Sequence, residues 1–99
     1  MARISYAGQA LTDLERIGDF LTDNGDDTAA VLDLIDEAIS ILVRHPFIGR
    51  RVEDGLREVV ISQGRTGYVA LYSVEADYDA ILVLAIRHQR EAGWNVPLA

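Results

Sequence analysis

The chain has no cysteine and no lysine, a single tryptophan, one methionine and two prolines. Without cysteine there is no disulfide, no thiolate metal site and no cysteine nucleophile. That absence fits a reducing compartment, and a cytoplasmic location is the expectation. No apolar run approaches the roughly 20 residues that a membrane-crossing helix needs. The N-terminus lacks the basic-then-apolar order of a signal peptide, so no membrane association is expected. Positive charge is also scarce. All nine basic residues are arginine, against 16 acidic ones, for a net charge of −7. That balance opposes non-specific binding to nucleic acid, whose affinity comes largely from basic groups displacing counterions.

What is present is ordinary for a globular protein: 49% apolar and 25% charged residues in 99 positions, enough for one core and one domain spanning 1–99. Charge is uneven along it. Residues 1–40 hold nine acidic side chains against Arg3 and Arg16, whereas the remainder holds seven of each sign. Arginine suits carboxylate or phosphate recognition because its planar fork bonds bidentately. On an acidic protein its commoner role is solubilising surface.

Arg3 to Tyr6 is β-compatible. From about Gly8 the period becomes helical, with Leu11, Leu14, Ile17 and Leu21 as the apolar stripe and Phe20 widening it. Asn24-Gly25 predicts a stop. Asp26 or Asp27 then caps a second helix to about Arg44, where Pro46 forbids continuation nearby. This helix carries two adjacent stripes: Leu32, Ile35, Ile39, Leu42 and Val31, Leu34, Ala38, Ile41. Phe47 to Gly55 reads as a connector and Leu56 to Ile61 as a strand. Gly64-Arg65-Thr66-Gly67 reads as a hairpin turn and Tyr68 to Val74 as the next strand. After an acidic turn, Ala80 to Ile86 is apolar on both faces, which predicts a central strand covered on both sides. Residues 91–99 form a tail carrying Trp94. The order β-α-α-β-β-β predicts an α+β fold, a helical hairpin over one face of a small, mainly antiparallel sheet.

The residues with chemistry gather where the last strand ends, at Arg87-His88-Gln89-Arg90. Functional side chains often sit where a rigid sheet meets a loop. A metal-free ribonuclease must deprotonate a 2′-hydroxyl, stabilise the charged phosphorane and protonate the leaving oxygen. His88 has acid–base chemistry near neutrality. Arg87, Arg90 and Arg65 suit a phosphate, and Tyr68 or Tyr72 a stacked base. Each has a plainer reading. A histidine at a strand end is commonly a hydrogen-bonded surface residue, and alternate tyrosines on a strand are commonly packing residues. Trp94 either covers an open end of the core or anchors a contact with a partner. Neither a cofactor nor a metal is expected.

In order and spacing these elements resemble the RelE/ParE family of toxins from bacterial type II toxin–antitoxin (plasmid stabilisation) systems. The residues that carry the likeness are Gln9 to Ile17, His45-Pro46-Phe47-Ile48-Gly49-Arg50, Leu56-Arg57-Glu58-Val59-Val60, Gly67 to Tyr72, and Ile86 to Arg90. The resemblance implies a cytoplasmic toxin masked by a cognate antitoxin in a hetero-oligomer. It also implies one of two targets, since RelE-like members cut messenger RNA on the ribosome and ParE-like members inhibit DNA gyrase. The shared fold does not decide between them. Against cleavage stand the acidic, lysine-free composition and the strand Tyr68-Val69-Ala70-Leu71-Tyr72, which lacks an arginine that the family often carries there. The closing Arg87-His88-Gln89-Arg90 resembles ParE-like members as well. The expectation is a toxin that binds a protein such as gyrase. The alternatives are an endoribonuclease using Arg87, His88 and Arg90, or an inactive binding member. Asp19, Asp23, Asp33 and Asp36 lead to the expectation of a basic, apolar-anchored antitoxin segment.

Overall fold

In chain order the elements are β1 (Arg3–Tyr6), α1 (Gly8–Asp23), α2 (Thr28–Ser40), β2 (Arg50–Arg51), β3 (Arg57–Gln63), β4 (Thr66–Glu75) and β5 (Ala80–His88). They come from a computed structural model that describes residues 3–63, 66–91 and 93–94. The sheet has five strands in the order β1-β5-β4-β3-β2. β1 runs parallel to β5 and the other pairs are antiparallel. The parallel pair needs a long crossover, and the chain from α1 to β4 supplies it. The α+β architecture read from the sequence is the one observed, with one addition. Arg50–Arg51 forms a two-residue edge strand inside what reads as a connector, too short to leave a period in the sequence. Of the turn read over Gly64-Arg65-Thr66-Gly67, the first two residues lie outside the described residues, while Thr66 and Gly67 already pair with Gln63 and Ser62 as the start of β4.

The two helices are joined by a tight, well-satisfied turn. The backbone and side-chain N–H groups of Asn24 both donate to the Phe20 carbonyl, at 3.1 and 2.7 Å. Gly25 has φ +73°, a conformation that favours glycine. Asp27 caps α2 by accepting from the Ala30 amide at 3.1 Å. The helices cover one sheet face. There Ile17 and Leu21 of α1 and Ile35 and Ile39 of α2 pack with Ile61, Tyr68, Ala70, Tyr72, Ile81, Val83 and Ile86 of the strands.

α1 keeps most of its predicted stripe, with Ile17 and Leu21 buried and Leu14 packed against the core, but is turned slightly so that Leu11 faces out. Its buried positions are Ala10, Asp13, Ile17 and Leu21, while Leu11 and Phe20 are exposed. The cause lies in β5. β1 ends at Tyr6, opposite Val83, so among the described residues the later part of β5 has no strand on that side. α1 closes the gap with a carboxylate: Asp13 Oδ2 accepts from the Ile86 amide at 2.9 Å. Gln9 Nε2 donates to Oδ1 at 2.9 Å. A buried amide must find an acceptor, and meeting that need outweighs turning Leu11 inward.

β5 lies inside the sheet, as its apolar run predicts, but its cover is uneven. Pairing with β4 passes from Leu71–Ala85 to Tyr72–Val83, leaving Leu84 as the extra residue of a bulge. The bulge lets both Val83 and Ile86 face the helices. Leu82 and Leu84 are only half-buried. Val69, Leu71 and Ala85 are buried yet lie outside the cluster under the helices, on the opposite face of the sheet.

Candidate functional site

A groove of about 480 Å³ opens where α1 passes the far end of β4 and β5. Arg16, Ile17 and Phe20 line it from α1, Tyr68 from β4 and His88 from β5, with Arg90 and Glu91 from the turn that follows. Tyr68 and His88 are register partners, so both project to the helix side. Their rings meet edge-on, with centroids 5.4 Å apart and planes at 77°, an arrangement that aromatic pairs favour. Phe20 stands 65% exposed at the groove. Arg16 is held by Glu91 at 3.1 Å and lies 3.9 Å from Asp13. Arg90 has no carboxylate partner among the described residues.

The hydrogen bonding of His88 limits its chemistry. Its Nδ1 accepts from the Arg90 backbone amide at 3.1 Å. A neutral imidazole has one acceptor and one donor nitrogen, so with Nδ1 accepting here a neutral ring presents Nε2 as its donor, and its acceptor lone pair is already engaged. Burial, followed by the negative charge of Asp26, pushes the Tyr68 hydroxyl above the ordinary tyrosine range, so it stays protonated at neutral pH. Glu91, the remaining carboxylate at the groove, is engaged with Arg16.

Arg87 is not part of this groove. Successive strand residues point to opposite faces, and Arg87 pairs with Val69 on the other side of the sheet. Its guanidinium lies over the Trp94 indole, 4.6 Å from the ring centroid, a cation–π geometry. It also donates to the carbonyls of His88 and Glu91. The Trp94 indole N–H donates to Glu58 at 2.8 Å, and the other oxygen of that carboxylate accepts from Arg50 at 2.9 Å. Burial by itself raises the Glu58 pKa. The hydrogen bonds from Arg50 and Trp94, with the positive charges of Arg50 and Arg87, outweigh it and hold the group below the ordinary glutamate range. The chain Arg50–Glu58–Trp94–Arg87 is therefore a clasp that fixes the segment after β5 to the sheet face opposite the helices.

Tyr72 presents no surface to a partner. It is fully buried, and its hydroxyl donates to the Pro46 carbonyl at 2.8 Å while accepting from the Gly49 amide at 2.9 Å. A Cβ on Gly49 would lie 2.6 Å from that hydroxyl and 2.7 Å from the Glu58 carbonyl oxygen. The loop before β2 can approach this closely only because residue 49 is glycine. Arg65 lies outside the described residues.

Of the residues singled out in the sequence, Tyr68, His88 and Arg90 are thus brought together. Arg87 and Trp94 form a separate cluster with Glu58. Sequence reasoning missed Arg16, Phe20 and Glu91 as groove residues. A signal existed for Arg16, which shares the acidic front half with only one other basic residue, Arg3. The alternation of strand side chains could have separated Arg87 from His88. No group of acidic and imidazole side chains among the described residues has a metal-binding arrangement, and no described helix is long and apolar enough to cross a membrane.

Residues 4–93 match the sequence profile of a family described as ParE toxin of type II toxin–antitoxin system, parDE. Toxin RelE3 of Caulobacter vibrioides is 32% identical over 92 residues, which cover 92% of this chain and 98% of that protein. Among solved structures, the chromosomal ParDE TA system from P. aeruginosa aligns with a TM-score of 0.70 at 22% identity, covering 89% of this chain and 96% of that one. The intact E. coli RelBE toxin–antitoxin complex aligns with a TM-score of 0.67 at 14% identity, covering 93% and 100%. At those identities the two structural likenesses show a common fold.

Proposed function

This chain belongs to the ParE toxin family of type II toxin–antitoxin systems, and from that premise we propose that it acts by binding a protein target, DNA gyrase first among candidates. The observation that carries this reading is the state of His88. With Nδ1 occupied by the Arg90 amide, the acceptor nitrogen of the ring is already engaged, which counts against His88 as the base that takes a proton from a 2′-hydroxyl. Tyr68 is held protonated and Glu91 is salt-bridged, so neither replaces it as a base. Arg87, the cation next to His88 in sequence, is committed to Trp94. The groove then has apolar walls and one arginine, Arg90, without a carboxylate partner among the described residues, a surface suited to protein recognition.

A cognate antitoxin neutralises the toxin in a hetero-oligomer within the cytoplasm. The support is that solved relatives include the ParDE system and the RelBE complex. The acidic hairpin of Asp19, Asp23, Asp33 and Asp36 favours a basic antitoxin segment.

A second reading, ribosome-dependent RNA cleavage, draws on the convergence of Tyr68, His88 and Arg90 on one groove. Expressing the chain without its antitoxin, then examining resident-plasmid topoisomers beside mapped messenger ends, separates the two. Relaxed plasmid with intact messengers supports protein binding. Messengers cut at codons, with normal supercoiling, support cleavage.

A further inference from the structure

The groove also indicates what kind of protein surface it receives, an inference that rests on the protein-binding reading above. We propose that it seats a bulky apolar side chain of the target, followed by a carboxylate that pairs with Arg90. Ile17, Phe20 and the rings of Tyr68 and His88 make one continuous apolar wall. Its volume of about 480 Å³ falls within the roughly 300–1,000 Å³ of ordinary ligand pockets. Phe20 is 65% exposed on a helix whose neighbouring Ile17 and Leu21 are buried. A large aromatic left at the mouth of a groove is the kind of residue that becomes an interface anchor.

Charge narrows the occupant. Arg16 is already neutralised by Glu91 at 3.1 Å, whereas Arg90 is exposed and has no carboxylate among the described residues. A cation left without a carboxylate among the described residues, beside an apolar wall, matches a partner carboxylate. A nucleic-acid strand brings a phosphate at every residue and draws its affinity from several cations at once. Here Glu91 at the groove and the net charge of −7 oppose it. A protein segment with an apolar residue beside an acidic one is therefore the better fit.

The test uses the full chain, isotope-labelled, titrated by NMR with three probes. These are a blocked hexapeptide containing Phe-Glu, the same peptide with Phe-Lys, and a short oligoribonucleotide. The Phe-Glu peptide is expected to shift the resonances of Ile17, Phe20, Tyr68, His88 and Arg90, and to bind roughly threefold to tenfold more tightly than Phe-Lys. Arg90→Glu is expected to invert that preference, and Phe20→Ala to weaken both peptides. Both side chains are exposed, so circular dichroism should show either variant folded. Equal binding of the two peptides, no shift at the groove at millimolar peptide, or the oligonucleotide bound there instead would overturn the proposal. Gyrase inhibition that survives both substitutions undiminished would also sink this docking mode while leaving the protein-binding reading intact. Loss of that broader reading shows differently, as a wild-type chain that cuts messenger RNA and leaves supercoiling untouched.

Discussion

Replacing Tyr72 by phenylalanine removes one oxygen atom and, with it, both hydrogen bonds that the hydroxyl makes to the loop before β2, leaving the bonds from Arg57 to the Phe47 and Gly49 carbonyls in place. The two partners do not suffer equally. Gly49 is buried and its amide, which donates to the hydroxyl at 2.9 Å, is left with no acceptor. The Pro46 carbonyl, bonded at 2.8 Å, belongs to a half-buried residue that water can reach. One orphaned buried amide costs roughly 1–3 kcal/mol, so a loss of about 2 kcal/mol is expected. In a domain of this size that lowers the melting temperature by roughly 8–16 °C. Thermal unfolding followed by far-ultraviolet circular dichroism measures it. A drop smaller than about 3 °C would refute the assignment of the hydroxyl as a tie for the loop. Alkali gives an independent reading. Burial raises the Tyr72 pKa despite the opposing Gly49 bond and Arg57 charge. Tyr6 and Tyr68 are raised by burial too, with help from Asp36 and Asp26 respectively. A raised folded-state value means that the unfolded chain releases its protons first. Their stabilisation is complete below the ordinary tyrosine range and is lost as pH climbs through the folded values. The wild type should therefore lose stability above about pH 10, and Tyr72→Phe should lose less over the same interval.

The clasp on the opposite face can be followed through Trp94, the only tryptophan. Glu58→Ala at neutral pH should shift Trp94 emission to the red, and the wild type should show the same change in acid. Because the Glu58 pKa is depressed by folding, the clasp is complete above the ordinary glutamate range and opens as pH falls through the lower folded value. Emission that ignores both perturbations would contradict the clasp. Asp13→Ala should expose the Ile86 amide to rapid hydrogen exchange and cost about 1.5–3 kcal/mol, the range for a hydrogen bond to a charged group. Asp13→Asn retains an acceptor oxygen and should lose less, as denaturant titration would show.

Much of the fold was legible because its long elements carry strong periods. β1, both helices and β3 to β5 follow from alternation, helical spacing, Asp27 as a cap and Gly25 as a stop. The two-residue β2 was not legible, because a pair of arginines has no period and its place depends on Gly49 fitting beneath Tyr72. The rotation of α1 was hidden for a related reason. Apolar spacing cannot reveal that the Asp13 carboxylate is needed inward to accept the Ile86 amide, so the spacing places Leu11 in the buried stripe. The site was half visible. Arg87, His88 and Arg90 attract notice as a cluster, yet strand alternation sends Arg87 to Trp94 and leaves His88 with Tyr68. Arg16, Phe20 and Glu91 join the groove only through the packing of α1 against the sheet end, a long-range contact with no local signature.

The central claim, that this toxin binds a protein and does not cut RNA, meets its most direct test in one parallel titration. Purified chain is added to a DNA gyrase supercoiling reaction and to a reconstituted translation reaction whose messenger 5′ ends are mapped. The account predicts that supercoiling fails as the chain approaches gyrase in concentration, while messengers stay intact. Messengers cut within ribosome-bound codons, with supercoiling unaffected at the same concentrations, would contradict it.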